Sequence, residues 1–284
     1  MLGSCFLKIL AADEDFEMYA FGREELDIRD GAQLQKMLGE ISPDFVINCA
    51  AYTNVDGAED DSADAFAVNS EAVKALAEAC KRENAVLVHF STDYVFDGAS
   101  NGFDEGDTTG PLNVYGESKL AGEKAAALCS EHYVIRTSWL FGDGGKNFVD
   151  TMCRLGADRK ELSIVEDQIG SPTFTNDLCR VVIEWFLRPF LGDVVREHEH
   201  AMDEEHERHA KLGFGIYHVT NSGEVNWADF AKEIFEVKGL DVNVKGITTE
   251  EFGAKAKRPA NSVLKSKVDF GLRNWKEALK AYMG

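Results

Sequence analysis

Tyr115 and Lys119 stand four residues apart in the run Val114-Tyr-Gly-Glu-Ser-Lys-Leu-Ala-Gly-Glu123. On a helix that spacing places both side chains on one face, where an ammonium beside a phenol favours the phenolate. The spacing therefore predicts a tyrosine pKa drawn from about 10 toward neutrality, where a phenol exchanges protons with a substrate hydroxyl or carbonyl. Taken alone, the two residues also suit an ordinary amphipathic surface helix. Upstream, Ala85-Val-Leu-Val-His-Phe90 reads as a buried parallel strand ending in Ser91-Thr-Asp-Tyr-Val-Phe-Asp-Gly98. Ligands of doubly wound sheets sit beyond the carboxyl ends of the strands, so Thr92 is expected to present its hydroxyl to the cleft that holds Tyr115.

The remaining chain must supply the elements that build this cleft. Pro43-Asp-Phe-Val-Ile-Asn48 and His132-Tyr-Val-Ile-Arg-Thr-Ser138 read as short strands, and Phe16 to Phe21 as another. Ser62 to Arg82 has helical apolar spacing through Phe66, Val73, Leu76 and Ala77; its Asn69 is either a cleft residue or simple surface. Asp97 to Pro111, rich in Gly, Asp and Asn, reads as a loop over the cleft and as a mobile lid. Beyond Phe141 the pattern shifts to a second lobe. Gln168-Ile-Gly-Ser-Pro-Thr173 is a Gly/Pro loop feeding a helix from about Asn176; Gly215-Ile-Tyr-His-Val219 is a strand; Asn226 to Phe235 and Trp275 to Tyr282 are helices. The expected fold is α/β, a doubly wound parallel sheet of the NAD(P)-binding Rossmann type with a smaller C-terminal substrate lobe. Residues 1–142 would form the dinucleotide-binding domain and 143–284 mainly the substrate lobe, with 174–219 returning in part to the first domain.

A strand-end Ser/Thr followed by Tyr-x-x-x-Lys is the arrangement of short-chain dehydrogenases, and further motifs sharpen the likeness. Asn48-Cys-Ala-Ala-Tyr-Thr-Asn-Val-Asp56, Ser91 to Gly98, Arg136-Thr-Ser-Trp-Leu-Phe-Gly142, Asp167-Gln-Ile-Gly-Ser-Pro-Thr173 and Arg258-Pro-Ala-Asn-Ser262 occur in one order and spacing. In these motifs the chain resembles the dTDP-4-dehydrorhamnose reductase family over nearly its whole length. The resemblance implies NADPH-dependent reduction of dTDP-4-dehydro-L-rhamnose to dTDP-L-rhamnose. Tyr115 would protonate the incipient alkoxide, Lys119 would lower the tyrosine pKa and hold the nicotinamide ribose, and Thr92 would hydrogen-bond the reacting oxygen. Val55, Tyr94, Trp139 and the Gln168 to Thr173 loop would hold the nucleotide sugar. Trp139 also suits a core position. Arg258 is placed to meet the diphosphate or to form a structural ion pair. Two other readings stay open: a nucleotide-sugar epimerase or dehydratase on the same scaffold, with Asp93 beside Thr92 as an acid, and a non-catalytic regulatory subunit resembling the methionine adenosyltransferase β subunit.

For the cofactor, the expected second strand ends at Gly22-Arg23. An acid there would bind the ribose 2′-hydroxyl of NAD, whereas an arginine accommodates the phosphate of NADP. Gly22 leaves no acid and Arg23 offers the cation, which favours NADPH and leaves NADH open; a solvated arginine is the alternative. By resemblance Asp27 and Ile28 contact the adenine, and the small Ala50 and Ala51 let the cofactor lie close. Gly3 aligns with the last glycine of the phosphate-binding turn. The first strand and earlier glycines, roughly a dozen residues in the family, have no counterpart. A misassigned start or a trimmed chain is expected, together with weaker NADPH binding and lower stability than in an extended form.

Net charge is −20 and the isoelectric point about 4.7, which disfavours nucleic acid and anionic membranes as partners. The partner expected is a small nucleotide-sugar substrate, and a homodimer is left open. Six scattered cysteines without a C-x-x-C pair predict reduced thiols in a cytoplasmic protein. No metal site is expected. Residues 193–211 read as an acidic insertion in which His198, His200, His206 and His209 are solvated, although His206 and His209 lie one helical turn apart.

Overall fold

The computed structural model describes residues 1–191 and 211–284. The first half runs α1 (Leu2–Leu10), α2 (Gly31–Ile41), β1 (Phe45–Asn48), α3 (Val55–Ala58), α4 (Ser62–Phe66), α5 (Ala72–Glu83), β2 (Val86–Thr92), α6 (Val114–Ala126) and β3 (His132–Thr137). Then follow β4 (Leu140–Phe141), α7 (Phe148–Asp158), β5 (Glu161–Val165), β6 (Ile169–Gly170), β7 (Thr173–Phe174), α8 (Thr175–Val181) and β8 (Gly215–His218). The chain closes with β9 (Val225–Asn226), α9 (Trp227–Lys238), β10 (Asn243–Ile247), α10 (Thr249–Phe252) and α11 (Trp275–Met283).

A parallel sheet in the order β1-β2-β3-β8 forms the centre. Every residue of β2 is buried, as a strand covered on both faces requires. Because side chains alternate, Val86, Val88 and Phe90 join Tyr133 and Ile135 on the face covered by α1 and α8, whereas Leu87 and Val134 face α2, α5 and α6. Helices on both faces make the fold α/β and doubly wound. Asp30, Asn113, Asn147, Asn226 and Asn274 cap α2, α6, α7, α9 and α11, each accepting from a backbone N–H of the first turn. Around a separate core of Phe141, Phe230, Ile234 and Trp275, α7, α9 and α11 pack with the parallel pair β5–β10.

Two expectations are corrected. Phe16 to Phe21 forms no strand. A strand persists only where its N–H and C=O groups find a ladder partner, and β1, the nearest edge, pairs with β2 alone. Phe16 and Met18 instead pack against the core beside α1, while Tyr19 and Phe21 stay exposed. The segment from Asp97 to Pro111 is irregular as expected, yet it is no lid: Phe103 N donates to Val263 O at 2.8 Å, Lys265 N donates to Phe103 O at 2.7 Å, and the Phe103 ring stacks on Phe96 at 4.4 Å. The helix expected over 62–82 forms, but a π-turn over Ala67–Glu71 separates α4 from α5 and carries Asn69.

All six cysteines are free. No described helix is long and apolar enough to cross a membrane. Among the described residues no group of three or more His, Cys, Asp or Glu is placed to hold a metal ion. The insertion expected at 193–211, with His198, His200, His206 and His209, lies outside the described residues except for Lys211.

Candidate active site

The carboxyl end of β2 delivers Thr92 into a short turn, Asp93–Val95, and α6 crosses beside it. Two glycines let α6 come this close. A Cβ on Gly116 would lie 2.2 Å from Tyr94 O, and one on Gly122 would lie 2.1 Å from Asn69 O. At the start of α6, Val114 N donates to Glu59 Oε1 at 2.9 Å, and the Asn113 side chain donates to Lys257 O at 2.7 Å. The result brings Thr92 and Tyr115 together: the Thr92 hydroxyl acts to lower the Tyr115 pKa, and Tyr94 packs edge-on against the Tyr115 ring at 5.9 Å. Thr92 Oγ1 also donates to Asp93 Oδ1 at 3.0 Å and accepts from Tyr94 N at 3.2 Å.

Lys119 departs from expectation. Its stem runs beneath α6 and Nζ donates to Phe90 O at 2.6 Å, so it braces the helix on β2. Burial lowers its pKa to about 8, opposed by the Glu123 carboxylate. The Tyr115 phenol is not drawn toward neutrality. Burial pushes it up to about 12, the Thr92 hydroxyl opposes that, and the Asp93 charge adds to it. Asp93 is buried with its carboxyl raised to about 6 by desolvation, against hydrogen bonds from Ser262 and Thr92. Below the cleft, Ser91 Oγ donates to Glu123 Oε1 at 2.5 Å, and Arg136 grips the same carboxylate through Nε and Nη2 at 2.8 and 2.7 Å. This buried pair fixes the base of α6 to β3.

At the carboxyl end of β1, Ala50 is exposed and Ala51 partly so, leaving the backbone there open to a flat group. Arg23 is 73% exposed at its side chain, and its nearest carboxylate is Asp27 at 3.8 Å, so its guanidinium has donors left for a phosphate. These features fit an NADP-type dinucleotide. Asp27 is held otherwise than expected: Arg29 clamps both its oxygens, Nη2 at 2.6 Å, and keeps its carboxyl at about 2. Ile28 leans against the core formed by Leu34 and Leu76. Gly3 faces Cys49, where an added Cβ would sit at an ordinary 3.5 Å, so nothing in this packing demands glycine. At the start of α1, the Met1 ammonium donates to Gly144 O at 2.9 Å.

Of the expected sugar contacts, Val55 stands partly exposed at the start of α3, and Tyr94 lies in the cleft wall. Arg258 forms the structural ion pair: both Nη atoms reach Asp56 at 2.8 Å, and Nη1 also donates to Ala256 O at 2.6 Å. Trp139 takes a positive φ of 47°, strained for a bulky side chain. It is held by face-to-face stacking on Trp227 at 3.4 Å and by Gly170, where a Cβ would lie 2.5 Å from the indole. Gln168 is buried, donating to Thr249 Oγ1 at 2.9 Å and accepting from Trp227 Nε1 at 3.2 Å. Thr173 does not reach the cleft. It is fully buried, and its hydroxyl donates to Ser171 O at 3.3 Å. Sequence reasoning missed Ser262 and Trp227, which arrive from distant segments. Asn69, weighed as cleft residue or surface, is buried and clamps Tyr52 N, Tyr52 O and Ser118 Oγ at 2.8, 3.0 and 3.0 Å.

Comparison with known proteins gives one consistent result. The family model described as the RmlD substrate binding domain matches residues 1–284. The dTDP-4-dehydrorhamnose reductase of Aggregatibacter actinomycetemcomitans is 38% identical, over 98% of this chain and 94% of its own. The spore coat polysaccharide biosynthesis protein SpsK of Bacillus subtilis is also 38% identical, over 94% and 88%. Among solved structures, a dTDP-4-dehydrorhamnose reductase from Bacillus anthracis in complex with NADP superposes with a TM-score of 0.86 at 37% identity, covering 99% of this chain and 94% of that one.

Proposed function

Because the chain belongs to the RmlD substrate binding domain family, we propose that it is an NADPH-dependent oxidoreductase that reduces the 4-keto group of dTDP-4-dehydro-L-rhamnose to give dTDP-L-rhamnose. The observation that carries this reading is the meeting of Thr92 and Tyr115 at the end of β2, beside the open backbone of Ala50 and Ala51. The relatives above carry the reductase name, and the solved neighbour holds NADP. NADPH, when bound, supplies the hydride.

Tyr115 Oη holds the proton that the product oxygen needs. A phenol raised to about 12 keeps that proton at neutral pH, and an alkoxide is a stronger base than a phenolate, so transfer runs downhill once the alkoxide develops. Lys119 supports the reaction by holding α6 on β2. Tyr94 and Val55 line the approach, and Trp139 and Trp227 offer a flat apolar wall for the sugar nucleotide. Arg23 supplies the cation for the 2′-phosphate. The net charge of −20 makes nucleic acid an unfavourable partner, and six free thiols support a reducing, cytoplasmic setting.

The test is NADPH oxidation with dTDP-4-dehydro-L-rhamnose by the wild type and Tyr115→Phe. The expected loss in kcat is roughly two to four orders of magnitude, with dTDP-L-rhamnose as the wild-type product. A Phe variant running near the wild-type rate, or a product other than the 4-hydroxy sugar, overturns the assignment.

A further inference from the structure

A hydroxyl has one hydrogen and two lone pairs, and at Thr92 the hydrogen is committed. It goes to Asp93 Oδ1 at 3.0 Å, while one lone pair accepts from Tyr94 N at 3.2 Å. Asp93 is held from its far side, where Ser262 Oγ donates to Oδ2. Thr92, Asp93 and Ser262 are all buried, so no solvent exchange relieves the arrangement. With Asp93 ionised, Thr92 has no proton to offer a substrate oxygen, which is the role its position suggests.

Building on the reductase reading, we infer that Asp93, braced by Ser262, is a positioning residue that decides whether Thr92 gives its hydroxyl proton to the carboxylate or to the substrate carbonyl. A protonated Asp93 reverses the local order. Its carboxyl O–H donates to Thr92 Oγ1, and the Thr92 hydrogen turns to the cleft to join Tyr115 on the same substrate oxygen. The proton gained sits on Oδ1, and no other bond changes. The reacting oxygen then has two donors instead of one.

The groups that face Asp93 make this switch respond to pH. The Tyr94 and Tyr115 phenols are neutral, their pKa values raised by burial and by Asp93 itself. The nearby Arg258 charge is committed to Asp56. Burial holds the carboxyl up at about 6, while the bonds from Ser262 and Thr92 pull it down. The productive, protonated form therefore dominates below about 6 and is lost as pH rises through it.

The experiment is kcat against pH, from about 5 to 9, for the full chain with NADPH and saturating dTDP-4-dehydro-L-rhamnose. Wild type should fall roughly tenfold per pH unit above its midpoint and level off roughly a hundredfold lower, the effect of losing one donor to the developing oxyanion. In Asp93→Asn, Nδ2 donates permanently to Thr92 and Oδ1 accepts from Ser262, so that limb should vanish and the low-pH rate should extend upward. In Ser262→Ala the carboxylate loses a donor, its pKa rises, and the limb should move to higher pH. A structural role alone would lower kcat at every pH and leave the midpoint in place. The inference is overturned if Asp93→Asn keeps the wild-type limb or if Ser262→Ala fails to move it upward; should Asp93→Asn not fold, Ser262→Ala decides alone. A wild type that does not reduce the sugar overturns the reductase reading and this inference together, whereas an active wild type without the limb overturns this inference only.

Discussion

Replacing Gly122 by alanine should destabilise the protein and slow it, although helix propensity argues the opposite. In a helix interior Ala is favoured over Gly by about 1 kcal/mol. At Gly122, however, the new Cβ would lie 2.1 Å from Asn69 O, about 0.9 Å inside the 3.0 Å below which Cβ contacts essentially do not occur. Asn69 O is backbone of the π-turn, and the Asn69 side chain ties that turn to Tyr52 and Ser118, so α6 itself must move by roughly 1 Å. Overpacking of this kind costs about 1–3 kcal/mol. After the propensity gain, a net loss of up to roughly 2 kcal/mol remains, a fall in Tm of up to about 8 °C for a chain of this size. Tyr115 rides on the same helix, and a displacement near 1 Å in a reacting group costs on the order of a hundredfold in rate. The control is Gly39→Ala in α2, where the nearest atom to the new Cβ is Glu83 Oε1 at 3.7 Å; it should gain up to about 1 kcal/mol and leave kcat unchanged. Thermal melts and kcat for both variants decide the matter, and a Gly122→Ala that behaves like Gly39→Ala refutes the close-approach argument.

Two further substitutions separate roles that the cleft brings together. Arg23→Ala should narrow the preference for NADPH over NADH, because the exposed guanidinium is proposed to meet the 2′-phosphate that NADH lacks; an unchanged ratio of kcat/KM for the two cofactors removes Arg23 from the site. Thr173→Val should cost about 0.5–1.5 kcal/mol for the lost bond to Ser171 O while leaving KM for the nucleotide sugar unaltered, and a raised KM would return Thr173 to the substrate.

Where the sequence was read well, one local pattern decided the outcome. The run from Val86 to Thr92 is apolar enough to be buried on both faces, and it is. The Tyr115 and Lys119 spacing placed both on one face of α6, yet the pattern says nothing of where a four-carbon stem ends, and Nζ went to Phe90 O. Phe16 to Phe21 has strand-like composition, but a strand is a relation between two segments, and no ladder partner stands beside it. Asn69 was ambiguous because a π-turn leaves no period in the sequence, and that turn is what aims the side chain at Tyr52 and Ser118. The contact of Asp93 with Ser262 joins residues 169 positions apart, beyond the reach of any spacing argument. Thr173 sat in a Gly/Pro loop that read as cleft lining, while short β-pairing with Leu140 turned it inward.

The Trp139 and Trp227 rings, 3.4 Å apart and within 5° of parallel, have an optical consequence. Two indoles held so close interact in their excited states, which alters their near-ultraviolet absorption and their fluorescence. Trp139 follows the end of β3, and Trp227 opens α9. Both indoles pack against the core of the smaller lobe, so the stacked signal exists only while the segment after β3 is folded onto that core, and it reports this packing separately from helix content. On the proposed reading, a sugar nucleotide settling against these indoles changes that signal without any label, so the protein would carry its own spectroscopic probe of the cleft.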